Sequence, residues 1–256
     1  LSGVSLGTAA SDTLTSMYSG GGDVTIRGKT TGTGLSSGLY QYGKWLLNSG
    51  KGAIVLDANS ANFYGLNFVH PSTNSASTGK YLQLISDKTS GTAISITGVS
   101  SSNYGVVFNY ENPKEVLATG GGDIVITGTA GGNYGLFFQN TDVLSTVGTI
   151  TANGGTRGIT TPSGMRLASR SGTTITSSTS NVLLIGDTFN FGGATPVLTS
   201  GTVKVQPFGT SFSSAQTFTN ATYGSAVSEL TLGKPGNTAD ITIGSAVNVA
   251  GPVSVY

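Results

Sequence analysis

Short runs of alternating side chains recur along the whole chain. Val24-Thr25-Ile26, Ile94-Ser95-Ile96, Ile124-Val125-Ile126 and Ile241-Thr242-Ile243 all follow a period of two, which is the period of a strand with one buried face. β-Branched residues dominate these runs, and they suit a pleated, half-buried surface. No window carries an apolar stripe at helical spacing for more than about one turn. The pattern therefore predicts an all-β protein with almost no helix. No apolar run approaches the ~20 residues of a membrane span, so no membrane insertion is expected. Leu1 does not open a basic segment followed by an apolar one, so no signal peptide is read there. Pro252-Val253-Ser254-Val255-Tyr256 reads as a last strand, and both ends read as cut from a much longer chain.

The runs repeat. Gly22-Asp23-Val24-Thr25-Ile26-Arg27-Gly28 returns as Gly122-Asp123-Ile124-Val125-Ile126-Thr127-Gly128, each after two further glycines. Weaker copies start at Gly52, Thr92, Val147 and Gly172. A second element follows the best copies: Phe63-Tyr64-Gly65, Asn103-Tyr104-Gly105 and Asn133-Tyr134-Gly135, each leading into an apolar run, with Gly38 to Gly43 as a looser version. A hairpin meander would need tight Asn-Gly or Asp-Gly turns between these strands, and they are nearly absent. Similar units instead stack as coils of a solenoid, each strand pairing in parallel with its equivalent in the next coil. The expected fold is a right-handed parallel β-helix of about ten coils, on the order of 50 Å long at ~4.8 Å per coil. Residues 1–180 carry the Gly-Asp and Asn-Tyr-Gly repeats. Residues 181–256 lose the Tyr-Gly signature and read as coils of a second style in one solenoid spanning 1–256. Long loops on single coils cost little closure entropy; Val69 to Gly79 and Asn109 to Val116 read as two such insertions.

Composition narrows the function classes. Charged residues are 9%, net charge is +1 and cysteine is absent. Without a basic excess to neutralise phosphates, no nucleic-acid partner is expected. Without cysteine there is no thiolate metal site, disulfide framework or cysteine nucleophile. The Gly-Gly-Gly-Asp pair, Gly20 to Asp23 and Gly120 to Asp123, is not the tandem nonapeptide of a calcium-binding roll. It reads as a turn whose Asp bonds local backbone N–H groups. Neither cofactor nor metal is expected.

Candidate contact residues are few. Glu111, Lys114 and Glu115 form the densest charge cluster, in the second insertion. Two carboxylates four apart suit acid and base roles in glycoside hydrolysis, but Pro and Lys offer no desolvation to split their pKa values. The cluster therefore reads as a solvated contact loop. Tyr104 and Tyr134 could stand in an exposed aromatic stripe onto which sugar rings stack, or form tyrosine-stacked coil corners. His70 is the one histidine and supports neither a triad nor a metal site. Trp45 reads as buried at a coil edge. A β-helix lyase would cluster Asp with Arg or Lys, whereas Arg157, Arg166 and Arg170 have no acidic neighbour in sequence. Thr149-Ile150-Thr151 and Thr174-Ile175-Thr176 hint at an ice-binding ladder that is not sustained. No catalytic residue is assigned and no enzyme is expected.

The alternation of Gly-Asp-Ile-x-Ile-x-Gly with Asn-Tyr-Gly-Val/Leu-x-Phe resembles the repetitive passenger region of filamentous-haemagglutinin-like bacterial surface adhesins, exported by two-partner secretion. Leu230 to Val247, Ala250 to Tyr256 and Gly201 to Ser214 are similar to blocks in those exoproteins. The resemblance implies a secreted or cell-surface β-helix acting as a structural stalk, with no catalytic residues carried over. The implied partners are flanking coils of a longer chain or end-to-end copies, with a host-cell or neighbour-cell glycan or protein as the ligand of an adhesin using its side loops. Absence of cysteine suits a chain that crosses an oxidising periplasm unfolded.

Overall fold

The computed structural model describes residues 2–7, 14–69, 80–168 and 178–256. His70, the stretch 70–79, Arg170 and the repeat copies around Gly172 and Thr174-Ile175-Thr176 lie outside the described residues. Within them the chain is a parallel β-solenoid built on three sheets. Sheet 1 has seven strands: Val4–Leu6, Leu39–Tyr42, Leu66–Val69, Val106–Phe108, Leu136–Phe138, Ile159–Thr160 and Phe189–Asn190. Sheet 2 has eight: Thr15–Tyr18, Trp45–Asn48, Leu82–Ser86, Lys114–Ala118, Thr141–Ser145, Met165–Leu167, Thr195–Val197 and Ala221–Tyr223. Sheet 3 has nine: Val24–Thr30, Ile54–Ser60, Thr92–Ser100, Asp123–Ala130, Ile150–Asn153, Val182–Ile185, Thr202–Gln206, Glu229–Leu232 and Val253–Val255. The chain visits the sheets in turn, and the strand pairings among the described residues are all parallel. The described helical structure is one 3₁₀ turn, Gly155–Arg157.

Among the described residues sheet 3 sets the coil number at eight to nine, slightly under the expectation of about ten. Coil length explains the difference. Ile54 stacks on Ile94, 40 residues on, while Val182 stacks on Val203, 21 residues on. The long coils consume chain without adding a layer.

The alternating runs become columns of like side chains. Ile54, Ile94, Ile124, Ile150, Val182, Val203 and Leu230 lie in register in sheet 3, and Leu56, Ile96, Ile126, Ala152, Leu184, Val205 and Leu232 form a second column. All fourteen are at most 1% exposed. Sheet 1 adds Phe68, Phe108 and Phe138 in register, their rings 4.8 and 5.1 Å apart. The core thus runs unbroken along the axis. Columns cross residue 180 without a gap, since Ile150, Val182 and Val203 are consecutive rungs. The change of style beyond that point lies in sheet 1. Phe189 N–H donates to the Gln216 side-chain Oε1 at 2.8 Å rather than to a backbone carbonyl, and Gln216–Phe218 pairs with Ile241–Ile243 as a separate ribbon. The Phe189 and Phe218 rings still meet at 6.0 Å.

The repeated Asp joins coils. Asp23 Oδ1 accepts from the N–H of Ala53, and Asp123 Oδ1 from that of Thr149, both at 2.7 Å. The expected local turn bond is corrected: each carboxylate reaches the coil that follows.

Candidate functional site

The Tyr-Gly corners link sheet 3 to sheet 1. Backbone bonds align them coil to coil: Gly38 N–H donates to Tyr64 O, Gly65 N–H to Tyr104 O and Gly105 N–H to Tyr134 O. Ser60 and Ser100 Oγ accept the N–H groups of Phe63 and Asn103 at 3.0 and 2.9 Å, closing each corner. Tyr104 is half-buried, its ring 5.8 Å from Tyr64 and 5.2 Å edge-on from Phe137. Burial raises the pKa of both Tyr64 and Tyr104, and neighbouring phenols add to the effect. The Tyr104 ring is thereby engaged within the corner stack. Tyr134, also half-buried, lines a surface groove instead.

The charge cluster is divided. Glu111 is exposed on the corner, where its Oε1 accepts from the Ser163 hydroxyl. Lys114 and Glu115 are not part of a solvated insertion. They open the strand Lys114–Ala118 of sheet 2, and both are buried. A strand led by Lys and Glu gives no apolar alternation, so it reads as loop until its neighbours are known. In register it lies between Leu82-Gln83-Leu84 and Thr141-Asp142-Val143.

Lys114 stands in the inward column of Trp45, Leu82, Thr141 and Met165. Its ammonium turns back to the corner. It donates to the carbonyls of Tyr110 and Asn112 at 2.7 Å and of Gln139 at 3.0 Å, which uses all three of its donors. Tyr110 has φ +66°, so the ammonium braces a left-handed residue. Burial pulls the Lys114 pKa down to about 7, with Glu111 opposing. Between pH 7 and 9 the unfolded chain therefore holds more protons at this site than the folded one, and stability rises with pH. At 1.36 kcal/mol per unit the gain over that window is about 2 kcal/mol. Urea midpoints should climb from pH 7 to 9 in the native chain and stay level in Lys114→Met.

Glu115 belongs to a buried ionic layer on the same sheet. Gln83, Glu115, Asp142 and Arg166 are consecutive rungs. Lys80 Nζ lies 3.0 Å from Glu115 Oε1 and 3.6 Å from Asp142 Oδ2. Arg166 Nε pairs with Asp142 Oδ1, and Gln83 donates to Glu115 Oε2 at 2.8 Å. Both carboxylates are fully buried. Removing a cation from such a layer weakens the pairing of a fully buried carboxylate, which is costly because the charge stays out of water. Sequence reading missed it because Asp142 and Arg166 are 24 residues apart, one coil rather than one loop away. A search at coil spacing would have found them.

No family model, curated protein or solved structure matches this chain. What the chain does must therefore be argued from its own geometry. Trp45 is buried at 2% exposure, in the inward column. Among the described residues, no three His, Cys, Asp or Glu side chains converge as a metal site, and no helix is long and apolar enough to cross a membrane.

Proposed function

We propose that this chain is a structural segment of an extracellular bacterial surface filament or adhesin stalk. The observation that carries the reading is the continuous core: columns of Ile, Val, Leu and Phe run the length of the described solenoid beneath three parallel sheets. Such an object is additive. Each coil is stabilised by its neighbours through backbone pairing and apolar burial, so length and stiffness grow with coil number. The buried ionic layer and the inter-coil Asp bonds fix register, as a long stack requires. The Gly-Asp and Asn-Tyr-Gly repeats support a surface-adhesin setting through their resemblance to filamentous-haemagglutinin-like passengers. Flanking coils of the same chain, or copies joined end to end, would pair with the free edges of the outer strands.

The test is cryo-electron tomography of the source cells with an antibody against this segment. Label spaced along thin surface fibres is the expected result. A soluble pool with no fibre label would overturn the proposal, as would label on intracellular structures.

A further inference from the structure

The corner between sheets 3 and 1 changes length from coil to coil, and the change carves a groove. Thr127, Asn153, Ile185 and Gln206 are consecutive rungs of sheet 3, the last that these four strands share. Counted from these rungs, the path to the next strand is residues 128–135, the first three still paired with the preceding coil, then 154–158, then 186–188, then 207–215. Two short corners thus lie between two long ones. The walls are three coil steps apart, roughly 14 Å at ~4.8 Å per step. The cavity is about 520 Å³ and is lined by Gly132, Asn133 and Tyr134 on one wall, Ser213 on the other, and Thr156, Arg157 and Thr188 between them.

The lining has a definite chemistry. It holds one aromatic ring, one guanidinium, hydroxyls and an amide, but no aliphatic side chain to anchor a peptide. It holds no carboxylate either. Asp187, beside Thr188, is engaged with Gly209 N–H at 2.9 Å. Arg157 is exposed and donates through one nitrogen to Gly131 O at 2.6 Å, which fixes its stem and leaves further donors of the fork. The Thr188 and Ser213 hydroxyls meet at 3.2 Å across the floor and far wall. Asn133 is held by Asn103 at 2.7 Å in the preceding coil. An aromatic plate beside fixed polar donors suits a ligand with an apolar face and a hydroxylated rim. A guanidinium that gives one nitrogen to a carbonyl and meets no carboxylate in the lining favours an acidic group on that ligand.

We propose that this groove binds an anionic saccharide, with a pyranose against the Tyr134 ring and its acidic group on the Arg157 guanidinium. Thr188 and Ser213 meet the ring hydroxyls. The site stands apart from the scaffold role, so either reading can fail without the other. Calorimetric titration of the whole chain with three probes tests it: an oligogalacturonate, a sulfated galactan oligosaccharide and a neutral oligogalactose. One of the two acidic probes should bind at least about tenfold more tightly than the neutral one, and which one binds separates a carboxylate ligand from a sulfate ester. Arg157→Gln should weaken that binding by about tenfold or more, the range of a charge-assisted hydrogen bond. Tyr134→Ala should weaken it several-fold while leaving the melting temperature near that of the native chain. Thr188→Val serves as a third variant should loss of Arg157 loosen the Gly131 turn. No binding of either acidic probe overturns the proposal. So does binding indifferent to the three substitutions, or equally tight binding of a poly-aspartate peptide.

Discussion

Phe108→Ala is expected to destabilise the solenoid by about 3–5 kcal/mol, the range for removing a buried aromatic. Phe108 is fully buried between two rings, 4.8 Å from Phe68 and a near-parallel 5.1 Å from Phe138. Its loss costs the transfer of the ring and two ring contacts, and it leaves a cavity that rigid parallel rungs above and below cannot close. In a linear array the damage is also topological, because each coil touches only its neighbours. Urea unfolding followed by far-UV circular dichroism reports all coils. Fluorescence of Trp45, the one tryptophan, reports the coils before the lesion. The two signals should coincide in the native chain and separate in the variant, with dichroism falling first. Phe108→Leu should restore most of the loss. Coincident, unshifted curves for Phe108→Ala would show that the column does not couple the coils.

Gly128→Ala should be as damaging although it adds only a methyl. A Cβ at Gly128 would stand 1.9 Å from the carbonyl oxygen of Gly135, a backbone atom that cannot swing away. The contact recurs: Cβ atoms at Gly28 and Gly98 would stand 2.1 and 2.2 Å from the carbonyls of Gly38 and Gly105. Gly28, Gly98 and Gly128 share one column with Ala58, and in the three glycine coils the sheet 3 strand passes close against the glycine that opens sheet 1. Relief would require the corner to move outward and its rung bonds to lengthen, a cost of about 3 kcal/mol or more. Gly22→Ala is the control. It has no positive φ, and its nearest neighbour, Ser19 O, is 4.0 Å away, so the change should stay within about 0.5 kcal/mol. Equal melting temperatures for the two variants would sink the steric account.

The legible part of the fold was whatever a coil repeats. Alternation in Ile94-Ser95-Ile96 announces a strand because one face is buried. The return of Gly-Asp a coil later announces stacking, because like side chains gain most from lying on like. The illegible part was whatever differs between coils. Lys114–Ala118 hid as a strand because the inward place of its first residue is filled by an ammonium satisfied by three carbonyls, an arrangement visible only once the corner of the next coil is in place. The pairing of Asp142 with Arg166 and Lys80 hid because sequence neighbours were searched instead of rung neighbours. Of the residues picked out for contact, Glu111 is at the surface, Lys114 and Glu115 are interior, and Tyr104 and Tyr134 share a corner but not an environment. The groove beside Tyr134 has no motif. It arises from the subtraction of three and then two residues from successive corners, and no single segment records a difference in length.

The bonds made by Asp23 and Asp123 tie two coils to the coils that follow them through a side chain as well as through the rungs. The partners lie 30 and 26 residues apart, so each bond closes a loop of only one coil, a small entropic cost. Winding from either end meets the same step, because a carboxylate in place serves an incoming amide as well as an amide in place serves an incoming carboxylate. Like thread on a bobbin, the chain needs only its last turn as a template for the next.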